Sequence, residues 1–173
     1  MNVRMSTLKA VVLTVAVLAV ACGKDSDGGT GPSNDGDLFY RFDANGTRVT
    51  YTVQQSLLGS FSRNNNQRVL IITGFNANSN SALQVYSGAD IGVGSYSGYT
   101  INPAQGVVIG TIMHYQDSNG VLYATDSSVN PTDVVTITDL TATTVRGTFS
   151  GRLKSAGRPD MVITNGEFLV KRN

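Results

Sequence analysis

"VVTITDLTATTVRGTFSGRL", residues 134–153, decides the fold class. Valine, isoleucine, threonine and phenylalanine dominate it, and its apolar residues recur at every second position. A period of two is that of a β-strand, whose successive side chains point to opposite faces. In the first half Val135, Ile137 and Asp139 share one face, and Thr136, Thr138 and Leu140 share the other. In the second half Val145, Gly147, Phe149, Gly151 and Leu153 line a single face. Glycine weakens a strand unless something requires it, so this repetition predicts strong bending or another backbone approaching closely.

Working outward, similar short runs recur between Gly, Asn, Pro and Ser punctuation. Strands are expected over 38–43, 47–54, 68–74, 82–87, 106–115, 121–126, 133–139, 144–153 and 167–171. No stretch beyond residue 37 carries a sustained apolar stripe at helical spacing, so residues 38–173 read as a single all-β domain. Asn45-Gly46 and Asn119-Gly120 fall between strand-like runs. Both pairs tolerate positive φ, as a two-residue hairpin requires, and so predict antiparallel neighbours. The expected architecture is an antiparallel β-sandwich of about nine strands, with a closed or partly closed β-barrel as the alternative, because periodicity does not separate the two.

The amino-terminal part reads differently. Arg4 and Lys9 precede the apolar run "AVVLTVAVLAVA" (10–21), and no acidic residue precedes Cys22. A positive start, a short apolar core and small residues make a signal peptide over 1–21. The run falls short of the roughly 20 residues that span a bilayer. "AVAC" (19–22) resembles a bacterial lipobox, which implies that Cys22, the only cysteine, becomes an acylated amino terminus. One acyl chain binds membranes marginally and two or more bind stably; the lipoproteins this resembles carry two or three. Residues 22–37 then form the lipidated cysteine and a flexible tether, rich in Gly, Ser, Asp and Asn, with a reach of ~20 Å. Within it, "CGKDSD" (22–27) looks like the Lys/Asp export cluster of Bacteroidetes-type surface lipoproteins. This implies an outer-membrane, cell-surface location, with the periplasm-facing leaflet as the alternative.

Composition narrows the partners. The chain has 13 Lys+Arg and 12 Asp+Glu, and loss of a leader containing Arg4 and Lys9 leaves the remainder one negative charge from neutral. Such a chain has neither the field nor the basic cluster to track phosphate backbones, so nucleic acid is not an expected partner. With Cys22 acylated, no disulfide or thiolate metal site is expected within the chain.

Three motifs extend the resemblance: "FDANGT" (42–47), the Gly-Thr-Phe at 147–149 and "TNGEF" (164–168). They are similar to the early hairpin, late strand and terminal segment of a family of small Bacteroidetes-type surface lipoproteins of unknown function. The resemblance supports the fold and the location and implies no catalytic residue.

Candidate sites are few. His114, the only histidine, stands in "IMHYQD" (112–117), where it would act as a general base with Asp117 or Asp126 nearby. There is neither a Gly-x-Ser-x-Gly elbow nor a second histidine for a zinc triad, so the expectation is a non-enzymatic protein without cofactor or metal. "DSNG" (117–120) has the oxygen spacing of a calcium-loop fragment, but the twelfth position is Ser128 rather than a bidentate glutamate, and a hairpin turn explains it. "GVGSYSGYTINP" (92–103) is the ligand candidate: Tyr96 and Tyr99 stand among glycines and serines, where aromatic faces and hydroxyls suit a glycan or a peptide. "SRNNNQ" (62–67) is a polar loop tip, a second place for a protein partner. The functional expectation is a lipid-anchored binding or envelope-associated module. A structural subunit recruiting another chain at a strand edge is the first alternative, and a small hydrolase is the disfavoured second.

Overall fold

The computed structural model describes residues 38–52, 57–64, 67–102, 107–126 and 132–173. The leader, Cys22 and the tether expected over 1–37 lie outside the described residues, as do Asn65 and Asn66 of the polar tip. The described residues of the compact unit Asp35–Asn173 are all-β. Its strands are β1 (Phe39–Ala44), β2 (Thr47–Tyr51), β3 (Leu58–Asn64), β4 (Gln67–Phe75), β5 (Asn80–Ser87), β6 (Gly94–Ser97), β7 (Tyr99–Asn102), β8 (Val107–Gln116), β9 (Leu122–Thr125), β10 (Val134–Leu140), β11 (Thr144–Lys154) and β12 (Met161–Arg172). Every expected strand is present, β12 beginning at Met161 rather than at 167. β3, β6 and β7 were not expected.

All twelve strands belong to one sheet, ordered β2-β1-β12-β3-β4-β5-β8-β9-β11-β10-β6, with β7 beside β8 and a further pairing of β12 with β11. That last pairing folds the sheet back on itself through β12, β3, β4, β5, β8, β9 and β11. An odd ring cannot alternate direction all the way round. Among the described residues one pair is parallel, β12 with β3, over Lys171↔Leu58 and Arg172↔Gly59, and it resolves this. The β9–β11 corner is equally short, over Leu153↔Thr125 and Lys154↔Ala124. The result is a partly closed barrel stitched at two corners, with β1–β2 and β10–β6 as wings.

Residues expected to share a face of β11 do so: Val145, Phe149 and Leu153 are buried, and Arg146, Thr148, Ser150 and Arg152 face out. The glycines admit close neighbours, as expected. Gly147 lies opposite Phe168, and Phe149 opposite Gly166. A Cβ on Gly147 would lie 2.2 Å from the Thr136 carbonyl oxygen and 2.5 Å from the Phe168 ring, and one on Gly166 would lie 2.7 Å from the Phe149 ring. The Gly-Thr-Phe and Asn-Gly-x-Phe motifs therefore meet as reciprocal glycine–aromatic pairs across the β11–β12 seam. Phe149 stacks in turn on Tyr40, with centroids 5.1 Å apart, and Phe42 packs edge-on to Tyr115 at 5.3 Å. The fully buried Tyr40 hydroxyl shares a 2.9 Å hydrogen bond with Ser81 Oγ, which satisfies a polar atom that would otherwise be costly to bury.

Two local expectations need correction. Val135 and Ile137 face the core, but a bulge between Ile137 and Asp139 turns Asp139 outward, opposite Arg146. An extra residue in one strand reverses the faces beyond it, so strict alternation failed where a carboxylate would otherwise have been buried. Asn45-Gly46 is the expected tight hairpin, at φ 47° and 81°. At Asn119-Gly120 only Gly120 has positive φ, 77°. The strands there part at Gln116↔Leu122, so the turn is longer than two residues. Asp117 organises it, its Oδ1 accepting from the backbone N–H of Asn119 and Val121, each at 2.9 Å.

Candidate functional site

The outer face of β6, β10, β11, β12, β1 and β2 carries a polar ladder. Register aligns Ser95 with Thr136, Thr136 with Thr148, Thr148 with Glu167, Glu167 with Arg41 and Arg41 with Thr50. Neighbouring strands lie about 4.8 Å apart, so hydroxyls, a carboxylate and a guanidinium stand at regular intervals across six strands. Ser95 Oγ and Thr136 Oγ1 share a 2.8 Å hydrogen bond. Glu167 Oε2 accepts from Arg41 Nε at 2.8 Å, so its charge is compensated. The Arg41 guanidinium also lies 4.4 Å over the Phe39 ring.

A shallow trough of about 420 Å³ opens in this face, lined by Val134, Thr136, Thr148, Ser150, Asn165 and Glu167. A second, of about 470 Å³, continues from Ser150 towards Thr132, Arg152 and Val162. The trough has a local cause. β12 bulges between its pairings with Arg41 and Asp43, with Asn165 at φ 50°. Asn165 Nδ2 donates to Asp43 Oδ2 at 2.8 Å, and Arg48 Nη1 donates to Asp43 Oδ1 at 3.0 Å. These two bonds hold the Asp43 carboxyl below its ordinary range, the Asn165 bond contributing most. The trough thus offers hydroxyl, amide and compensated carboxylate groups: hydrogen bonding without strong net charge. Its outward residues, Thr148 and Ser150, are the partners of the apolar stripe in 144–153. The stripe itself points to the core, and the trough is formed by the opposite face of the same strand.

Tyr96 and Tyr99 are both half-buried. Tyr96, opposite Val135 on β6, packs against the core. Its hydroxyl donates to the Gly92 carbonyl at 2.9 Å and accepts from the Gly92 N–H at 3.0 Å, closing its own loop. Tyr99 pairs with Gly110, which also lies opposite Tyr86, and with burial as the larger cause Tyr99 helps to push the Tyr86 hydroxyl pKa up. The two rings serve different strand pairs, while Ser95, beside Tyr96, joins the polar ladder.

His114 sits between Ala82 on β5 and Ala124 on β9, and burial pushes its imidazole pKa down. Its two expected carboxylate partners have other engagements: Asp117 Oδ1 holds the β8–β9 turn, and Asp126 is ion-paired with Lys154 at 3.2 Å. The interior beside Tyr40, Ser81 and Met113 holds no water-sized space. Asp133, which sequence reasoning read only as a strand start, is wholly buried. It accepts from the Arg152 N–H at 3.1 Å and from the Thr125 hydroxyl.

No family model, curated protein or solved structure matches this chain.

Proposed function

We propose that this chain is a lipid-anchored, cell-surface lipoprotein of the outer membrane, whose β domain is a non-enzymatic binding module for a glycan or a peptide. The observation that carries the reading is the order of the amino-terminal residues: an apolar run, small residues, Cys22, then a polar tether leading to one folded domain. The open, weakly charged trough on β10–β12 supports the binding part, since hydrogen-bonding groups on a rigid sheet suit a polar ligand lying along them. The engagements of Asp117 and Asp126 support the non-enzymatic part, because they take both candidate carboxylates away from His114.

Cys22→Ser should move the protein from the membrane fraction into soluble or unprocessed pools. A variant that stays with membranes at the processed mass refutes the anchor. On a glycan array, Thr148→Arg should abolish binding by filling the trough. Loss in a folded Tyr96→Ala/Tyr99→Ala variant, with Thr148→Arg still binding, would move the contact to the tyrosine segment.

A further inference from the structure

Strand direction sorts the described connections into two ends. The turns β1–β2, β4–β5, β8–β9 and β11–β12 lie at one end. The start of β1 at Phe39, the end of β7, the start of β8 and the carboxy terminus lie at the other, where the chain enters the domain. Three apolar side chains stand in solvent at the entering end: Val93 is 67% exposed, Ile101 59% and Ile109 47%. Ile101 faces Val108 and Ile109 faces Thr100 across the β7–β8 pair, so the two isoleucines point to opposite faces of one ribbon. β5 stops pairing with β8 at Gly110, and beyond it the Gln67 side chain covers that edge by bonding to Val108. Val107 at the start of β8 stays buried, so the ribbon is exposed at Ile101 and Ile109 rather than along the whole of either face.

The charges at the two ends differ as well. Among the described residues, the entering end carries Arg63, Arg146, Lys171 and Arg172 besides the Arg68–Asp90 pair, against one further acidic side chain, Asp139. Arg172 bonds the Thr141 carbonyl and lies over the Phe61 ring, neither of which neutralises it. The turn end exposes Phe75, Leu122 and Val162, but three of its cations, Arg48, Arg152 and Lys154, are ion-paired with Asp43, Asp160 and Asp126. Its fourth, Arg158, is offset in net charge by Asp117 of the β8–β9 turn. An apolar tip rimmed by surplus cations is the combination that partitions into a lipid interface: apolar area enters the headgroup region, and cations favour anionic lipid.

We infer that the end of the domain at which the chain enters docks on the bilayer surface, with Ile101, Ile109 and Val93 entering the headgroup region and Arg63, Lys171 and Arg172 lying over anionic headgroups. The inference rests on the lipid-anchored reading, which keeps the domain within reach of a membrane, and adds an orientation to it. A docked domain turns its β1–β2 and β11–β12 turns away from the membrane.

The test uses the processed protein that begins at Cys22, as it is made in cells, in phosphatidylcholine vesicles containing phosphatidylglycerol and brominated lipid. An environment-sensitive fluorophore is attached at Ile101→Cys in one sample and at Phe75→Cys in another. Docking predicts bromine quenching at least about twofold stronger at residue 101 than at residue 75. Lys171→Glu together with Arg63→Glu should reduce that difference, and raised salt should do the same. Sedimentation with vesicles and equal quenching at both positions overturns the docking and leaves the anchor standing. Failure to sediment refutes the anchor and the docking with it. Quenching at 101 that depends on protein density rather than on brominated lipid identifies the tip as a contact between copies and overturns the proposal.

Discussion

The β11–β12 seam and the β6–β7 segment both alternate in the manner of strands, but they are held by different means. The seam joins strands of 11 and 12 residues, with Phe168 lying over Gly147 and Phe149 over Gly166. Side-chain fit specifies its register: a slip of two residues one way would set Phe149 against Phe168 and two the other way Gly147 against Gly166, while a slip of one would turn the buried face outward. β6 and β7 have four residues each and pass the chain from β10 to β8 through Gly98, at φ 73°. They are held by backbone contact: Thr111 N–H donates to the Gly98 carbonyl at 2.7 Å, and a Cβ on Gly110 would lie 2.1 Å from that same oxygen. Packing fixes the first region, and local geometry fixes the second.

The largest expected effect breaks the seam. Gly147→Ala must displace the Thr136 carbonyl or the Phe168 ring, and overpacking of this kind costs about 3 kcal/mol. Gly157 supplies the control. It has φ of +70° and nothing within 4 Å of a built Cβ, so Gly157→Ala carries only the left-handed backbone cost, about 1 kcal/mol. Urea denaturation of both variants separates fit from conformation. Equal losses would show that the glycine–aromatic pairs do not hold the seam.

The same contrast explains what was legible in the sequence. The stripe Val145, Gly147, Phe149, Gly151 and Leu153 could be read because a long strand repeats its period often enough to fix a face, and its glycines announced close neighbours. Short β6 and β7 offer too few repeats, and β3 is broken by Gly59 and four polar residues, so partners rather than composition make them strands. The bulge after Ile137 has no local signature, and it misplaced Asp139. The trough depends on the fit of three strands and on the bulge at Asn165. Its hydroxyls in "VVTITDL" and "TVRGTFSGRL" were visible, but not the alignment of Thr136 with Thr148 and Glu167. Asp133 escaped notice for the same reason: its partners, Thr111, Thr125 and Arg152, lie on three other strands.

Asp133 links the seam to the β9 corner, and its pH dependence has the sign expected of a carboxyl buried there. Burial pushes its carboxyl pKa up, against the lowering by the Thr125 hydroxyl and the Arg152 N–H. The folded state therefore favours the protonated acid. The associated stability is fully present below the ordinary carboxylate range and is lost as pH rises through the raised value. Asp133→Asn keeps an acceptor for Arg152 and removes the buried charge, so it should raise stability at neutral pH by about 1 kcal/mol and leave it little changed in acid. Asp43, on the rim of the seam, has the opposite sign: its lowered pKa makes its contribution disappear as pH falls. Thermal melts of Asp133→Asn and Asp43→Asn across the acid range should diverge in opposite directions. Parallel profiles would mean that Asp133 is not desolvated at the corner.

The smallest effect concerns Tyr96. Its hydroxyl makes two hydrogen bonds to Gly92, each worth about 1 kcal/mol net when not rebuilt by water. Tyr96→Phe keeps the ring against the core and removes both bonds. β6 ends the sheet and is paired with β10 through Val134↔Ser97 to Ile137↔Gly94, so the loss should appear as local opening rather than global unfolding. The expected result is faster amide exchange over residues 92–97 and at the facing β10 positions, with a melting temperature within a few degrees of wild type. The seam amides of Gly147 and Phe168 should exchange as before. If they quicken to the same extent, β6 and the seam open as one unit, and the division between packing-held and geometry-held regions fails.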